Sequence, residues 1–374
     1  MTVPHVQRPT ASYINLDALA VNLQAMKDFV GPDVKYMAVV KANAYGHGAV
    51  PCALRLESEG VDWFGVAIPE EGVELRNGGV TKPILCLGTF WPGQEGLAFK
   101  YNLTPVVFNE DETLRLNAVA AENNKTLDIH VKVDTGMGRV GVRSDLWEQF
   151  AATLTGLKNL NVDGLMTHFA AAENPVENAF TDLQIERFNK ACDIFHAAGH
   201  TPKWIDLANS PGAIRHPDSR GNLVRLGGAL YGLLDDILPS NVDQPVLTPV
   251  LSLRSRIADI KHIAAGETLG YGRTFTTRRD SRIALVPIGY ADGYPRALSN
   301  QGKAEVNDQL VLIVGRISMD WILLDVTDIP KTTIGDEVTL IGTNVKATDI
   351  AGLTGTIGYE ITCGLLPRVP RIYE

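Results

Sequence analysis

Cysteine, long apolar runs and positive charge are all in short supply in this 374-residue chain. Its four cysteines, Cys52, Cys86, Cys192 and Cys363, are far apart and form no C-x-x-C pair. That spacing excludes a disulfide scaffold and a cysteine zinc site, and it reads as reduced, mostly buried thiols. No metal is expected. No run approaches the roughly 18 apolar residues of a membrane span. The start, Met1–Thr10, carries no apolar core of the secretory kind, so a cytoplasmic protein is expected. Lys and Arg number 34 against 43 Asp and Glu, a net charge of −9. That deficit argues against a nucleic-acid backbone or an anionic membrane as partner. No G-x-G-x-x-G opens a helix after an early strand, which weakens a dinucleotide-binding sheet. Internal repeats and low-complexity tracts are absent as well.

What is present suits a soluble enzyme: 45% hydrophobic and 21% charged residues. The length exceeds one ordinary core and predicts two domains. Eight short apolar runs read as strands: Val34–Val40, Trp63–Val66, Ile84–Leu87, Thr104–Phe108, Leu127–Val133, Val162–Thr167, Trp204–Ala208 and Leu223–Leu226. Helix-period stretches lie between them, such as Asp17–Val30, with Asp17 placed to cap, and Thr181–Ala198. Eight strand–helix units predict an α/β fold, a TIM-like (β/α)8 barrel, with a doubly wound sheet as the alternative. After about Pro245 the runs become short, β-branched and turn-separated: Ser252–Ile263, Arg282–Ile288, Gln309–Val314, Ile322–Val326 and Glu337–Ile341. This predicts a mostly β second domain. The boundaries are residues 14–245 for the barrel, and 1–13 with 246–374 for the β domain. The extended segment Val3–Ile14 is free to pair with the latter.

The stretch Tyr36-Met-Ala-Val-Val-Lys41-Ala-Asn-Ala-Tyr45-Gly-His-Gly48 stands out. A lysine closing a buried strand is costly to keep charged, and a neutral amine can form a Schiff base with a carbonyl. A strand-end lysine that snorkels into water is the plainer alternative. Other polar residues fall at strand ends in the same way. They are Lys132-Val-Asp-Thr-Gly-Met-Gly-Arg139, His168, Asn209-Ser210 and Arg225-Leu-Gly227-Gly228. In a barrel this end carries the chemistry, and phosphate sites favour the loops after strands seven and eight. Ser210 offers a hydroxyl, and Gly227 and Gly228 offer bare backbone N–H groups, although glycines also serve tight turns. His168 alone reads as a core histidine; beside Arg225 it gains weight. A guanidinium, with a pKa above ~12, keeps its proton, so a ring nitrogen facing Arg225 stays unprotonated.

These strings, with Gly270-Tyr271-Gly272, Gly289-Tyr290-Ala-Asp-Gly-Tyr294, Ser318-Met319-Asp320 and Gly358-Tyr359-Glu360, resemble the alanine racemase family from Lys41 to Arg371. The resemblance implies a pyridoxal 5'-phosphate enzyme that interconverts L- and D-alanine and supplies D-alanine for peptidoglycan. It implies a homodimer in which the β domain of one subunit reaches the other's site. Lys41 would bond the cofactor and act as one base, with Tyr271 of the partner as the other. Tyr45, Ser210, Gly227, Gly228 and Tyr359 would hold the phosphate, with Asn209 and His168 also at the cofactor and Arg225 at its ring nitrogen. Arg139 and the backbone at Met319 would meet the substrate carboxylate. Lys132, often carbamylated in relatives, would orient Arg139. Glu173, Tyr290 and Arg296 would line the access corridor. Glu173 and Trp321 depart from the usual pattern, where an aspartate and a polar or smaller residue stand. Two other readings are a broad-specificity racemase or basic amino-acid decarboxylase on the same plan, and a non-catalytic cofactor-binding barrel. Arg225 argues against the decarboxylase, and a second domain carrying Tyr271 argues against the bare barrel.

Overall fold

A computed structural model describes residues 8–234, 237–239 and 241–374. Residues 3–7 of the predicted extended segment lie outside this set. The chain divides into two compact units. One comprises Leu19–Ala44 and Gly48–Leu247; the other comprises the residues through Ala18, Tyr45–His47 and Thr248–Glu374.

The first unit is the barrel. Its strands are β2 (Lys35–Val39), β3 (Trp63–Val66), β4 (Ile84–Cys86), β5 (Leu103–Val107), β6 (Leu127–Lys132), β7 (Leu160–Met166), β8 (Trp204–Asp206) and β9 (Leu223–Leu226). All pair in parallel, in the order β8-β7-β6-β5-β4-β3-β2-β9. Among the described residues, no ladder joins β8 to β9. The gap is bridged by backbone bonds from Asn222 N–H to Ile205 O (3.1 Å) and from Arg225 N–H to Ala208 O (2.9 Å). Strands buried on both faces read as unbroken apolar runs, which is why these eight stand out in the sequence. Met37, Trp63, Leu85, Val106, Met166 and Leu223, one from each of six strands, pack into a single buried cluster. Beside them the His130 ring is fully buried, with its centroid 5.4 Å from that of Trp63. A Cβ on its neighbour Gly164 would lie 2.5 Å from that ring, so only glycine fits there.

The second unit holds β1 (Ala11–Ile14), which pairs antiparallel with β10 (Leu251–Arg256) and parallel with the last strand, Arg371–Tyr373. A six-stranded sheet, a three-stranded sheet and a two-stranded hairpin make up its β content. Three expectations need correction. The run Ser252–Ile263 is two strands, Leu251–Arg256 and Asp259–Ile263, in different sheets. Helices Ala347–Thr354 and Gly358–Cys363 interrupt the β pattern. The first helix begins at Leu16, and Asn15 Oδ1 accepts from the Ala18 N–H (2.8 Å). Asn15 is therefore the cap, and Asp17 sits in the first turn. Among the described residues, no helix is long and apolar enough to cross a membrane.

Candidate active site

The chain beyond β2 turns the wrong way for ordinary residues. Ala42, Asn43, Ala44 and Tyr45 have φ of 52°, 54°, 53° and 53°. Four consecutive non-glycine residues of left-handed sense cost about 1–2 kcal/mol each. Local bonds hold the turn. Ala44 N–H donates to Val40 O (2.8 Å), Gly48 N–H to Asn43 O (2.9 Å), and Asn43 Oδ1 accepts from Ala49 N–H (2.8 Å). Glu71 Oε1 accepts from Ala42 N–H (2.7 Å). This strained turn begins directly after Lys41, which is half-buried. Backbone strain of this kind gathers at functional sites. Of these four residues only Asn43 is of a type that favours this handedness.

On the barrel, side chains from five strand ends form one electrostatic cluster. Lys132 is buried, and burial pushes its amine down to about 7. Arg225, Arg139 and Lys41 press in the same direction, while Asp206 opposes them. Burial likewise holds His168 well below the usual imidazole range, helped by Arg225, Lys132, Arg139 and Lys41. Arg225 is itself buried. One of its amino groups shares its two hydrogens among His168 Nδ1 (3.0 Å), Thr167 O (2.9 Å) and Leu207 O (3.1 Å); the other makes an ion pair with Asp206. Asp206 is not among the residues expected at the site. Its signal is a lone acid inside the apolar strand Trp204–Ala208.

Two loops complete this unit's share. Ser210 opens helix Ser210–Arg215 just beyond β8, capped by the Asn209 side chain, which accepts from Gly212 N–H (3.0 Å). Ser210 Oγ accepts from the Gly227 N–H (2.9 Å), so serine and glycine loop meet, with Gly228 next in chain. The loop after β6 is organised by Asp134. Its carboxylate accepts from Gly136 N–H (2.9 Å), Gly138 N–H (3.1 Å) and Arg143 (3.1 Å). Burial pushes that carboxyl up, but these donors outweigh it and hold it below the usual range. Arg139 is exposed on this loop, and Glu173 is half-buried in the loop after β7.

The remaining predicted residues belong to the other unit. The rings of Tyr45 and Tyr359 meet edge to face, with centroids 5.3 Å apart. Tyr271 stands on the turn between Thr268–Leu269 and Phe275–Thr276, flanked by Gly270 and Gly272 at φ of 69° and 70°, and is 71% exposed. Met319 is 52% exposed. Its loop is clasped to the loop of Tyr290. Tyr290 N–H donates to Ser318 O (3.1 Å) and Ala291 N–H to Met319 O (3.0 Å). Arg296 is exposed on the following turn.

Comparison with known proteins points to one family over nearly the whole chain. The family model described as "Alanine racemase, N-terminal domain" matches residues 14–235, and "Alanine racemase, C-terminal domain" matches 250–373. The chain is similar to an alanine racemase of Halothermothrix orenii, with 44% identity over 379 residues, 99% of this chain and 98% of the relative. Its structure is similar to that of an alanine racemase from Streptomyces lavendulae, with a TM-score of 0.92 and 33% identity over 99% and 98% of the two chains. It is also similar to an alanine racemase from Bartonella henselae solved with covalently bound pyridoxal phosphate. There the TM-score is 0.88 and the identity 30%, over 98% and 99% of the two chains.

Proposed function

Because the chain belongs to the alanine racemase family, we propose that its interconversion of L- and D-alanine uses pyridoxal 5'-phosphate held at the strand ends of the barrel. The observation that carries this reading is the cluster of Arg225, His168, Lys132 and Lys41. Its donors and cations suit an anionic cofactor, and the Ser210 hydroxyl, held beside the Gly227–Gly228 loop, suits a phosphate. When bound, the cofactor supplies a carbonyl that bonds an amine and a conjugated ring that takes up the electron pair left by the α-proton.

Lys41 anchors the cofactor and is the base on one face of the α-carbon. Tyr271, on the second unit, is the base on the other face, supplied across a homodimer. Its high exposure in the single chain supports that role. One base per face lets both enantiomers exchange without the substrate turning over. Arg225 keeps its own proton, so it leaves the ring nitrogen unprotonated and the ring a modest electron sink. Tyr45, Ser210, Gly227, Gly228 and Tyr359 hold the phosphate end, with Asn209 and His168 also at the cofactor. Arg139 and the Met319 backbone take the substrate carboxylate, and Glu173, Tyr290 and Arg296 line the access corridor. Lys132 orients Arg139. With its amine lowered to about 7, much of it is neutral at pH 7, the form that reacts with carbon dioxide to give a carbamate. We place the enzyme in the cytoplasm, supplying D-alanine for peptidoglycan.

The test is to incubate each alanine enantiomer with protein and cofactor and follow the other by chiral chromatography. Both directions are expected to run. Lys41→Ala is expected to show neither turnover nor the cofactor's visible absorption when bound. A Lys41→Ala protein that keeps both would remove Lys41 from the reaction.

A further inference from the structure

Asp206 has no exposed surface. It pairs in register with Met166 on β7, which pairs with Lys132 on β6. Parallel neighbours in register point the same way, so Asp206 and Lys132 project from one face of the sheet, two strands apart. Asp206 Oδ1 accepts from Arg225 in the ion pair. The other oxygen, Oδ2, is buried with no hydrogen-bond partner among the described residues.

Stability does not explain this acid. A buried ion pair is often replaced by apolar side chains at no loss, and an unpaired carboxylate oxygen adds a penalty. The charge around it offers a reason. Arg225, Arg139 and Lys41 all press on Lys132 with like charge, and the Asp206 carboxylate opposes them. Burial pushes the Asp206 carboxyl up to about 6, against the pull of Arg225 and Lys132, so at neutral pH it is charged.

We infer that Asp206 is a positioning residue for the reaction: its carboxylate fixes the Arg225 guanidinium so that it donates to His168 Nδ1, and it moderates the positive charge that Arg225 presents to the cofactor. The second half rests on the functional reading above; the first stands on the geometry alone. With Nδ1 accepting from Arg225, His168 carries its proton on Nε2, and one tautomer is fixed. Without the carboxylate, Arg225 keeps only carbonyl and imidazole acceptors and can rotate between them.

The experiment uses the holoenzyme labelled with 15N-histidine, with the His168 resonances assigned by loss in His168→Gln. The wild type is expected to show His168 as a single Nε2–H tautomer at pH 8. Asp206→Asn keeps the shape and removes the charge. It is expected to mix the tautomers, shift the visible band of the bound cofactor, and lower kcat about tenfold with KM within about twofold, the size of one lost charged hydrogen bond. Asp206→Glu, which keeps the charge, is expected to fall between and serves as a second folded variant. A wild-type His168 that carries its proton on Nδ1, or exchanges tautomers, overturns the proposal without any variant. So does a folded Asp206→Asn with an unchanged tautomer and kcat. A wild type without racemase activity would instead overturn the functional reading and leave the tautomer result standing.

Discussion

His130 shows how much a single buried ring links the barrel to pH. Neither of its ring nitrogens has a hydrogen-bond partner among the described residues. Burial, with Arg225 adding to it, pushes its pKa down to about 3. In the unfolded chain an imidazole titrates near ~6.5. Below that pH the unfolded state binds a proton that the folded state refuses, so stability falls as the pH drops from about 6.5 toward about 3. The slope from one such histidine is on the order of 1.4 kcal/mol per pH unit. His130→Phe is therefore expected to flatten the acid limb of stability by roughly that amount, whatever it does to stability at pH 8. Urea unfolding at pH 8, 6 and 5 measures it, and equal slopes in both proteins would show that His130 already takes its proton when folded. At this scale the sequence was partly legible. Lys41 announced itself because a lysine ending an apolar run is chemically odd. Asp206 was equally odd, but its meaning depends on Arg225, which lies 19 residues away and is brought to it only by the fold.

Among the elements, the loop after β6 shows positioning by one carboxylate. Asp134 accepts from two backbone N–H groups of its own loop and from Arg143, and the exposed Arg139 rides on that loop. Asp134→Asn is expected to loosen it and raise KM for alanine about tenfold, with kcat and cofactor affinity changed much less, because hydrogen bonds to a charged acceptor are worth more than neutral ones. Steady-state kinetics with both enantiomers decides; a variant that loses kcat at constant KM would place the loop's role in the proton transfers instead. The barrel strands were the most legible elements, since burial on both faces leaves no polar interruptions in them. The β-rich unit was less so. Its strands have one wet face, so a break at Ile257-Ala258 looks like continuation. Its helices of eight and six residues are too short to show a period.

For the whole molecule, the predicted division of labour is between subunits. Lys41 belongs to one unit and Tyr271 and Met319 to the other, with both of the latter largely exposed in the single chain. If each site draws its lysine from one subunit and its tyrosine from the partner, Lys41→Ala and Tyr271→Phe homodimers are each inactive. A mixed dimer then has one intact site. Random exchange makes half the dimers mixed, so activity is expected to return to about a quarter of wild type. Activity that stays at zero, under conditions where tagged subunits are shown to exchange, would mean that both bases come from one chain.

The reversed turn after Lys41 has a consequence for how this protein can be improved. Glycine at Ala42 or Ala44 would relieve about 1–2 kcal/mol of left-handed strain. It would also loosen the unfolded chain by about 0.4–1 kcal/mol, leaving a small net gain at the exposed Ala42; at the fully buried Ala44 the lost methyl, worth about 0.8 kcal/mol, cancels it. Selection for heat resistance alone is therefore expected to reach Ala42→Gly early, and not Ala44→Gly, with a Tm higher by about 1–4 °C. Selection for turnover is expected to reject both, because a supple hinge beside Lys41 would no longer hold the amine in one place. Running the two selections in parallel on one library would show whether Ala42 is kept for rate at the expense of endurance.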